Sequence, residues 1–361
     1  MDKYGPEKLL QAYNPSTGSL GLLVVDNTAL GPGLGGFYVL PKITIEHSFE
    51  LARLYTLMNS LHGVPFGGGC ACLAKGEKMA LDIGEFASAV APLANNSFIA
   101  CPGFGVGEAE MENYAYACGD VRGAAGKPSK LKGIPFENGG IGLGIAHCAL
   151  EALRFMKIDN PKVSIFGLGR DGLFAARVLS RNLIKVVAAG EADGATMNGE
   201  GLDIDSLANL VNSGGRVDAF PRGSPGTVVQ ALAEPADLMI ITSPGVINQN
   251  LANEIKPRIL LEGALGVVEK NDEATMVARG VTVLPDILAC GGAGLSSHVE
   301  HIGGNVVDMN EIVANSMKRT ARKVLEEPGR SLREVATRIA LERIDEAASK
   351  MHKGAMESRT R

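Results

Sequence analysis

Apolar positions along the chain follow two rhythms, and the change from one to the other falls near the middle. In the first half, "GSLGLLVVDNTA" (18–29) is a near-continuous apolar run bounded by glycine, which predicts a buried strand. "IEHSFELARLYTLMNSLH" (45–62) and "KMALDIGEFASAVAPLAN" (78–95) carry apolar residues at helical spacing. "SFIAC" (97–101) predicts a short strand, and "EAEMENYAYACG" (108–119) a helix closed by Gly119. The segment "GAAGKPSKLKGIPFENGG" (123–140), rich in Gly, Pro and Lys, predicts a domain boundary, with a helix following at 144–156. From Lys162 the rhythm becomes strand, helix, strand. "KVSIFGLGRDGLFAARVLSRNLIKVVAAGEADG" gives a β-run, a glycine turn, an amphipathic helix and a second β-run. Later β-runs are "DLMIIT", "RILLEG" and "VTVLPDIL", with helical pattern between several of them. That predicts a mainly parallel sheet wound by right-handed crossovers. Two amphipathic helices end the chain and are expected to pack back onto the first domain.

The resulting class is α/β with two domains: 1–135, 136–310 carrying the dinucleotide fold, and 311–361 as returning C-terminal helices. At 361 residues and 45% apolar, the chain can bury a sizeable core. A net charge of −5 with no basic block argues against nucleic acid and anionic membrane as partners. No apolar segment reaches about 18 residues, so no membrane span is expected. No secretory signal is read at the N-terminus, and six cysteines in so long a chain read as reduced thiols, so a cytoplasmic location is expected.

Candidate chemistry begins at "PFGGGCACL" (65–73). Three consecutive glycines imply a turn in conformations closed to other residues, or close approach to a ligand, and the chain then passes to two thiols. The second candidate is G-x-G-x-x-G, made by Gly167, Gly169 and Gly172 between the strand "VSIF" and the helix "LFAARVLS". Gly167 permits the tight turn, Gly169 lets backbone approach a pyrophosphate, and Gly172 lets helix and strand pack closely. The first turn of the helix, with Arg170 and Asp171, offers N–H groups to the phosphates. About 20 residues on, Glu191 is placed to accept hydrogen bonds from the adenine ribose. Its charge favours NAD over NADP, while Arg170 leaves NADP open.

Several further segments, taken together, resemble the glutamate/leucine/phenylalanine/valine dehydrogenase superfamily: "TALGPGLGGFYVLP", "VPFGGG", "AAGEADGATMNGEGLDIDSL", "EGALG" and "VTVLPDILACGGAGLSSHVEHI". The resemblance covers most of the chain in order. It implies an N-terminal substrate and oligomerisation domain, a Rossmann domain, a cleft between them, and a symmetric homo-oligomer. It also implies oxidative deamination of L-amino acids by a lysine that polarises the carbonyl and an aspartate that shuttles protons.

Matched by position, Cys70 stands at that lysine and Gly103 at that aspartate, and the helix lysine has no counterpart in "LMNSLHGV". Tyr38 stands where the family usually has arginine and Cys290 at its asparagine, while Ser297 keeps the family's substrate serine. Tyr38, Gly69 and Ser297 are thus the expected substrate contacts. Cys70 as a thiolate, or His62, is the candidate to replace the lysine, and Glu108 the candidate carboxylate. Cys70 and Cys72 read equally as buried gap-fillers, and Glu108 as a partner of a helix dipole. C-x-C lacks the spacing of structural zinc, so no metal is expected. Two readings follow. One is a nicotinamide-dependent oxidoreductase with an altered active site, acting on a non-standard C–N or C–O small molecule. The other is a catalytically inactive dinucleotide-binding sensor or regulatory subunit.

Overall fold

The computed structural model describes residues 1–327 and 331–359, with side chains as far as residue 350. The chain forms two compact units, one of residues 1–140, 293–312 and 337 onward, the other of residues 141–292 and 313–336. Among the described residues no helix is long and apolar enough to cross a membrane.

The first unit is built on five strands: β1 (Lys8–Asn14), β2 (Ser19–Asn27), β3 (Gly33–Leu40), β4 (Gly67–Ala74) and β5 (Phe98–Pro102). Their order is β1-β2-β4-β3-β5, with β1, β2 and β4 successively antiparallel and β4, β3 and β5 parallel. Successive side chains of a strand point to opposite faces. Leu23, Val25, Phe37, Val39, Ala71, Leu73, Phe98 and Ala100 therefore form one core with Ile83 and Phe86 of helix α2 (Met79–Val90) and Met111 and Tyr114 of helix α3 (Glu108–Ala117). The alternate positions Cys70, Cys72 and Cys101 face the other way, toward helix α1 (Ile45–His62). Thr44 starts α1, its hydroxyl accepting from the His47 N–H at 3.2 Å, and Gly63 ends it in the left-handed conformation. Thr44→Ala would remove that cap at a cost of about 1 kcal/mol.

The glycine run is where sequence and structure part. Gly67, Gly68 and Gly69 do not form a turn; they begin β4, and none has a positive φ. Glycine is required there by the protein's own backbone. A Cβ at Gly67 would lie 1.7 Å from the Asn27 carbonyl oxygen, and one at Gly68 would lie 2.2 Å from the Thr56 nitrogen. Helix α1 thus lies directly on β4, and the Asn59 amide donates to the Leu34 and Gly67 carbonyls at 3.0 and 2.7 Å. The helix expected over 78–95 is shorter, because Pro92 falls where α2 gives way to a 3-10 turn.

The second unit carries β6 (Lys162–Phe166), β7 (Lys185–Glu191), β8 (Gly194–Met197), β9 (Ser224–Gly226), β10 (Leu238–Ile241), β11 (Ile259–Glu262) and β12 (Thr282–Leu284). The order is β12-β11-β10-β6-β7-β8-β9, parallel from β12 through β7 and antiparallel at β8 and β9. Helix α4 (Gly140–Phe155) starts earlier than its pattern suggests, and α5 (Arg170–Arg181) follows β6. Arg333, at the start of the last helix (Leu332–Arg359), reaches three buried carboxylates. It holds Glu262 through two bonds of 2.9 Å, Asp286 at 2.7 Å, and Glu273.

Candidate functional site

In the second unit the buried strand β6 delivers the chain to Gly167 at φ +99°, where a Cβ would lie 2.2 Å from the Thr242 hydroxyl and 2.6 Å from that of Ser243. Thr242 closes the turn by donating to the Gly167 carbonyl at 2.7 Å. Gly172 lies against the same carbonyl: its Cβ would come within 1.9 Å of that oxygen, so α5 is seated on the turn. Gly169 differs from both. It is exposed, and a Cβ there would meet nothing within 4 Å. The turn therefore has two crowded glycines and one open one, and the open one faces space that a ligand can fill. Gly169 supplies no side-chain cap to α5, whose first-turn N–H groups have no intrahelical acceptor. Arg170 and Asp171 flank this start, 3.4 Å apart. Glu191, at the end of β7, accepts a close hydrogen bond from the Leu168 N–H, which holds a carboxylate beside the turn. Five of these six residues are thus shaped by packing or hydrogen bonds, with Gly169 left open, and the set fits a dinucleotide.

In the first unit, β3 brings Tyr38 to the α1 side of the sheet. Its hydroxyl is 3.2 Å from that of Tyr55, on the face of α1 that also presents Ala52 and Asn59 to the sheet. A Cβ at Gly36 would lie 2.3 Å from the Tyr38 ring, and one at Gly103 would lie 2.9 Å from it. The Phe37 carbonyl, 2.7 Å away, and the Tyr38 ring therefore close the space into which a side chain at position 103 would project. Loss of solvent, with Cys70 beside it, raises the Tyr38 phenol well above its ordinary pKa, and burial does the same for Tyr55.

The thiols share this face. Cys70 and Cys72 have their sulfurs 3.5 Å apart, and Cys101 lies beside the Tyr55 and Ser297 hydroxyls. Burial pushes Cys101 up to about 12 and raises Cys70 well above the usual thiol value, with Cys72 adding to it. A reactive thiolate needs a cation or an exposed helix start. Cys70 instead sits mid-sheet among thiols and phenols, so the thiolate expected of it does not form. All six cysteines are buried free thiols. Gly69 is held by packing, its Cβ position 2.8 Å from the Phe98 ring.

Ser297 comes from the helix Gly292–His301, which Glu300 anchors. That buried carboxylate accepts from the Gly126 and Ile134 N–H groups at 2.8 and 2.7 Å and pairs closely with Lys127. The other two expected catalytic groups are not brought here. His62 ends α1, about 10 Å beyond Tyr55 at 1.5 Å per residue, and is buried there. Glu108 is exposed in the first turn of α3, where a carboxylate complements the helix start. Tyr55 was missed in the sequence because its partner lies on a strand and not on its own helix. Its i, i+4 relation to Asn59 was the available signal. Among the described residues no group of three or more His, Cys, Asp or Glu could hold a metal.

Residues 133–352 match the family described as glutamate/leucine/phenylalanine/valine dehydrogenase, and residues 13–116 match its dimerisation domain. The chain belongs to this dehydrogenase family. It is 29% identical to the NADP-specific glutamate dehydrogenase of Saccharolobus shibatae, over 94% of this chain and 88% of that protein. It is 28% identical to the glutamate dehydrogenase of Thermotoga maritima, over 91% and 86%. Among solved structures, the hetero-hexameric glutamate dehydrogenase of Thermus thermophilus in its Leu-bound form superposes with a TM-score of 0.84 at 24% identity, covering 95% and 89%. That likeness is one of fold.

Proposed function

We propose that this family member is a nicotinamide-dependent amino-acid dehydrogenase whose substrate half is rebuilt for a neutral group. Its substrate would be a preformed imine, or a carbonyl other than a simple 2-oxo acid. The cofactor would be held by Gly167, Gly169 and Gly172, the first turn at Arg170 and Asp171, and Glu191, and it supplies hydride exchange at its nicotinamide ring. Glu191 disfavours a 2′-phosphate, so NAD is the expected form, with NADP next.

The observation that carries the substrate class is the Tyr38 ring packed over both Gly36 and Gly103. Position 103 brings no carboxylate, and burial raises the Tyr38 and Tyr55 phenols and the Cys70 thiol and keeps them protonated, while the bond to Cys70 lowers Cys72. Tyr38, Tyr55 and Ser297 can donate hydrogen bonds to a neutral oxygen or nitrogen. None of them carries the positive charge that a buried carboxylate needs, and a buried charge left unpaired costs several kcal/mol. Cys70 lines this face as a neutral, weak donor. The family's dimerisation domain and the hetero-hexameric Thermus thermophilus enzyme support an oligomer, with this chain as a homo-oligomer or as one kind of subunit in a mixed assembly.

The second reading, a regulatory subunit that binds dinucleotide without turnover, is favoured by the same observation, because no proton-shuttling carboxylate stands at position 103. Titrating NADH and NADPH by fluorescence, then adding 2-oxo acids with ammonia, cyclic imines and aldehydes in turn, separates the two. Consumption with an imine or aldehyde supports the proposal. Binding without consumption favours the regulatory subunit. Turnover of 2-oxoglutarate with ammonia as the best substrate overturns the neutral-group reading.

A further inference from the structure

The sequence contains two Asn-Gly pairs, Asn138–Gly139 and Asn198–Gly199, and the fold treats them in opposite ways. An asparagine followed by glycine can react with its own backbone, because no side chain at the next position shields the amide carbon from the following peptide nitrogen. The reaction needs a peptide N–H free to lose its proton, an amide group free to leave, and access for water. Asn138 lacks all of these. The Gly139 N–H donates to the Phe136 carbonyl at 2.9 Å, and Gly139 is buried. The Asn138 Nδ2 donates to the Pro135 carbonyl at 3.0 Å, which holds the leaving group inside a 3-10 turn.

Asn198 stands in the turn between β8 and the helix Ile204–Asn212, at the end of the sheet away from Glu191. The Gly201 N–H closes that turn on the Asn198 carbonyl at 2.9 Å, and the Glu200 N–H donates to the Asn198 Oδ1 at 3.0 Å. Among the described residues the Gly199 N–H has no acceptor. Gly199 is exposed, and a Cβ there would meet nothing within 4 Å. The Asn198 Nδ2 reaches only the Arg222 carbonyl, at 3.4 Å. A donor fixed on Oδ1 stabilises the negative charge that grows on that oxygen when the amide carbon is attacked. The turn thus polarises the amide, leaves the nucleophile free and admits water.

We propose that Asn198 is a site of spontaneous deamidation, a covalent modification that the fold permits there and suppresses at Asn138. The Gly199 nitrogen gives its proton to solvent and bonds to the Asn198 Cγ. The Cγ–Nδ2 bond breaks, ammonia leaves, and a cyclic imide remains. Water then opens the imide at either carbonyl, leaving aspartate or isoaspartate, and no electrons are exchanged. Either product adds a negative charge beside Glu200, which pairs with Lys185 at 3.1 Å. Isoaspartate also lengthens the backbone inside the turn and misplaces the carbonyl that Gly201 bonds.

The test is incubation of the full chain in mildly alkaline buffer, native and in urea. Peptide mass spectrometry follows conversion at both asparagines, and enzymatic methylation counts isoaspartate. A hydrogen bond that must open slows a reaction about two- to tenfold, and Asn138 must open two, so native Asn198 should convert about tenfold faster or more. The two rates should become equal in urea, where neither turn survives. Gly199→Ala, whose Cβ is unobstructed, should keep the fold and slow conversion at Asn198 at least about twofold. The proposal is overturned if native Asn198 stays intact while the urea-treated chain converts there, if native Asn138 converts as fast, if the ratio is the same in urea, or if Gly199→Ala converts at the wild-type rate.

Discussion

Replacing Arg333 by methionine removes the one guanidinium that serves Glu262, Glu273 and Asp286, and its cost follows from their burial. Glu262 is fully buried and the other two nearly so, and each bonds the same side chain. Breaking a buried pair by deleting one partner costs about 3–5 kcal/mol. A second route gives the same scale. Without Arg333, Glu262 takes up a proton, and holding neutral at pH 7 a glutamate whose ordinary value is 4.5 costs about 3.4 kcal/mol at 1.36 kcal/mol per pH unit. Burial first, and Asp286 next, already raise Glu262 in the wild type, so part of that cost is present before mutation. The expected loss for Arg333→Met at pH 7 is therefore about 3 kcal/mol. A carboxyl raised in the folded state contributes stability that is present below its unfolded value and lost as pH rises through its folded value. The variant raises Glu262 and Glu273 further, so its deficit should shrink toward pH 5, by up to about 1.4 kcal/mol per pH unit for each proton. Denaturant unfolding of both proteins across that range measures this, and Glu262→Gln in the Arg333→Met background should recover part of the loss, because an amide is neutral without the cost of taking up a proton. A deficit under about 1 kcal/mol at pH 7, or one that does not change with pH, refutes the reasoning.

Three further outcomes are expected. Gly169→Ala should leave the melting temperature unchanged, since its Cβ meets nothing, yet weaken NADH binding about tenfold or more by standing between backbone and pyrophosphate; Gly172→Ala, 1.9 Å from the Gly167 carbonyl, should lower both. Gly103→Asp should cost about 1–3 kcal/mol by overpacking against the Phe37 carbonyl and the Tyr38 ring, and adding Tyr38→Ala should recover only the ring's part of that in thermal denaturation. Burial, then Lys318, lowers His147 to about 4, so the stability it contributes is present above its ordinary 6.5 and lost as pH falls toward 4. His147→Gln should flatten the stability profile in that window, read by melting temperature against pH.

The dinucleotide half was legible because its information is local. A glycine triplet at fixed spacing, a strand before it, an amphipathic helix after it and an acid at the end of the next strand all lie within one short stretch, and β6, α5 and Glu191 form where that stretch predicts. Strands β8 and β9 escaped notice because "GATM" and "SPG" are too short to show a period, and their pairing depends on the hairpin from β7. At Gly67–Gly69 composition announced that glycine was needed, but not why. A turn and a crowded strand ask for the same residue, and only the packing of α1 and β2 on β4 distinguishes them. The cysteines show the same limit. Strand alternation, readable in sequence, sends Cys70 and Cys72 to one face. Whether that face holds cations, which would make thiolates, or phenols and further thiols, which keep Cys70 protonated, depends on Tyr38, Tyr55 and Cys101 arriving from other elements. The chain thus determines its elements and its cofactor turn through short-range pattern. The charge and shape of the face around Tyr38 are set by side chains distant in sequence, and those become neighbours only in the folded protein.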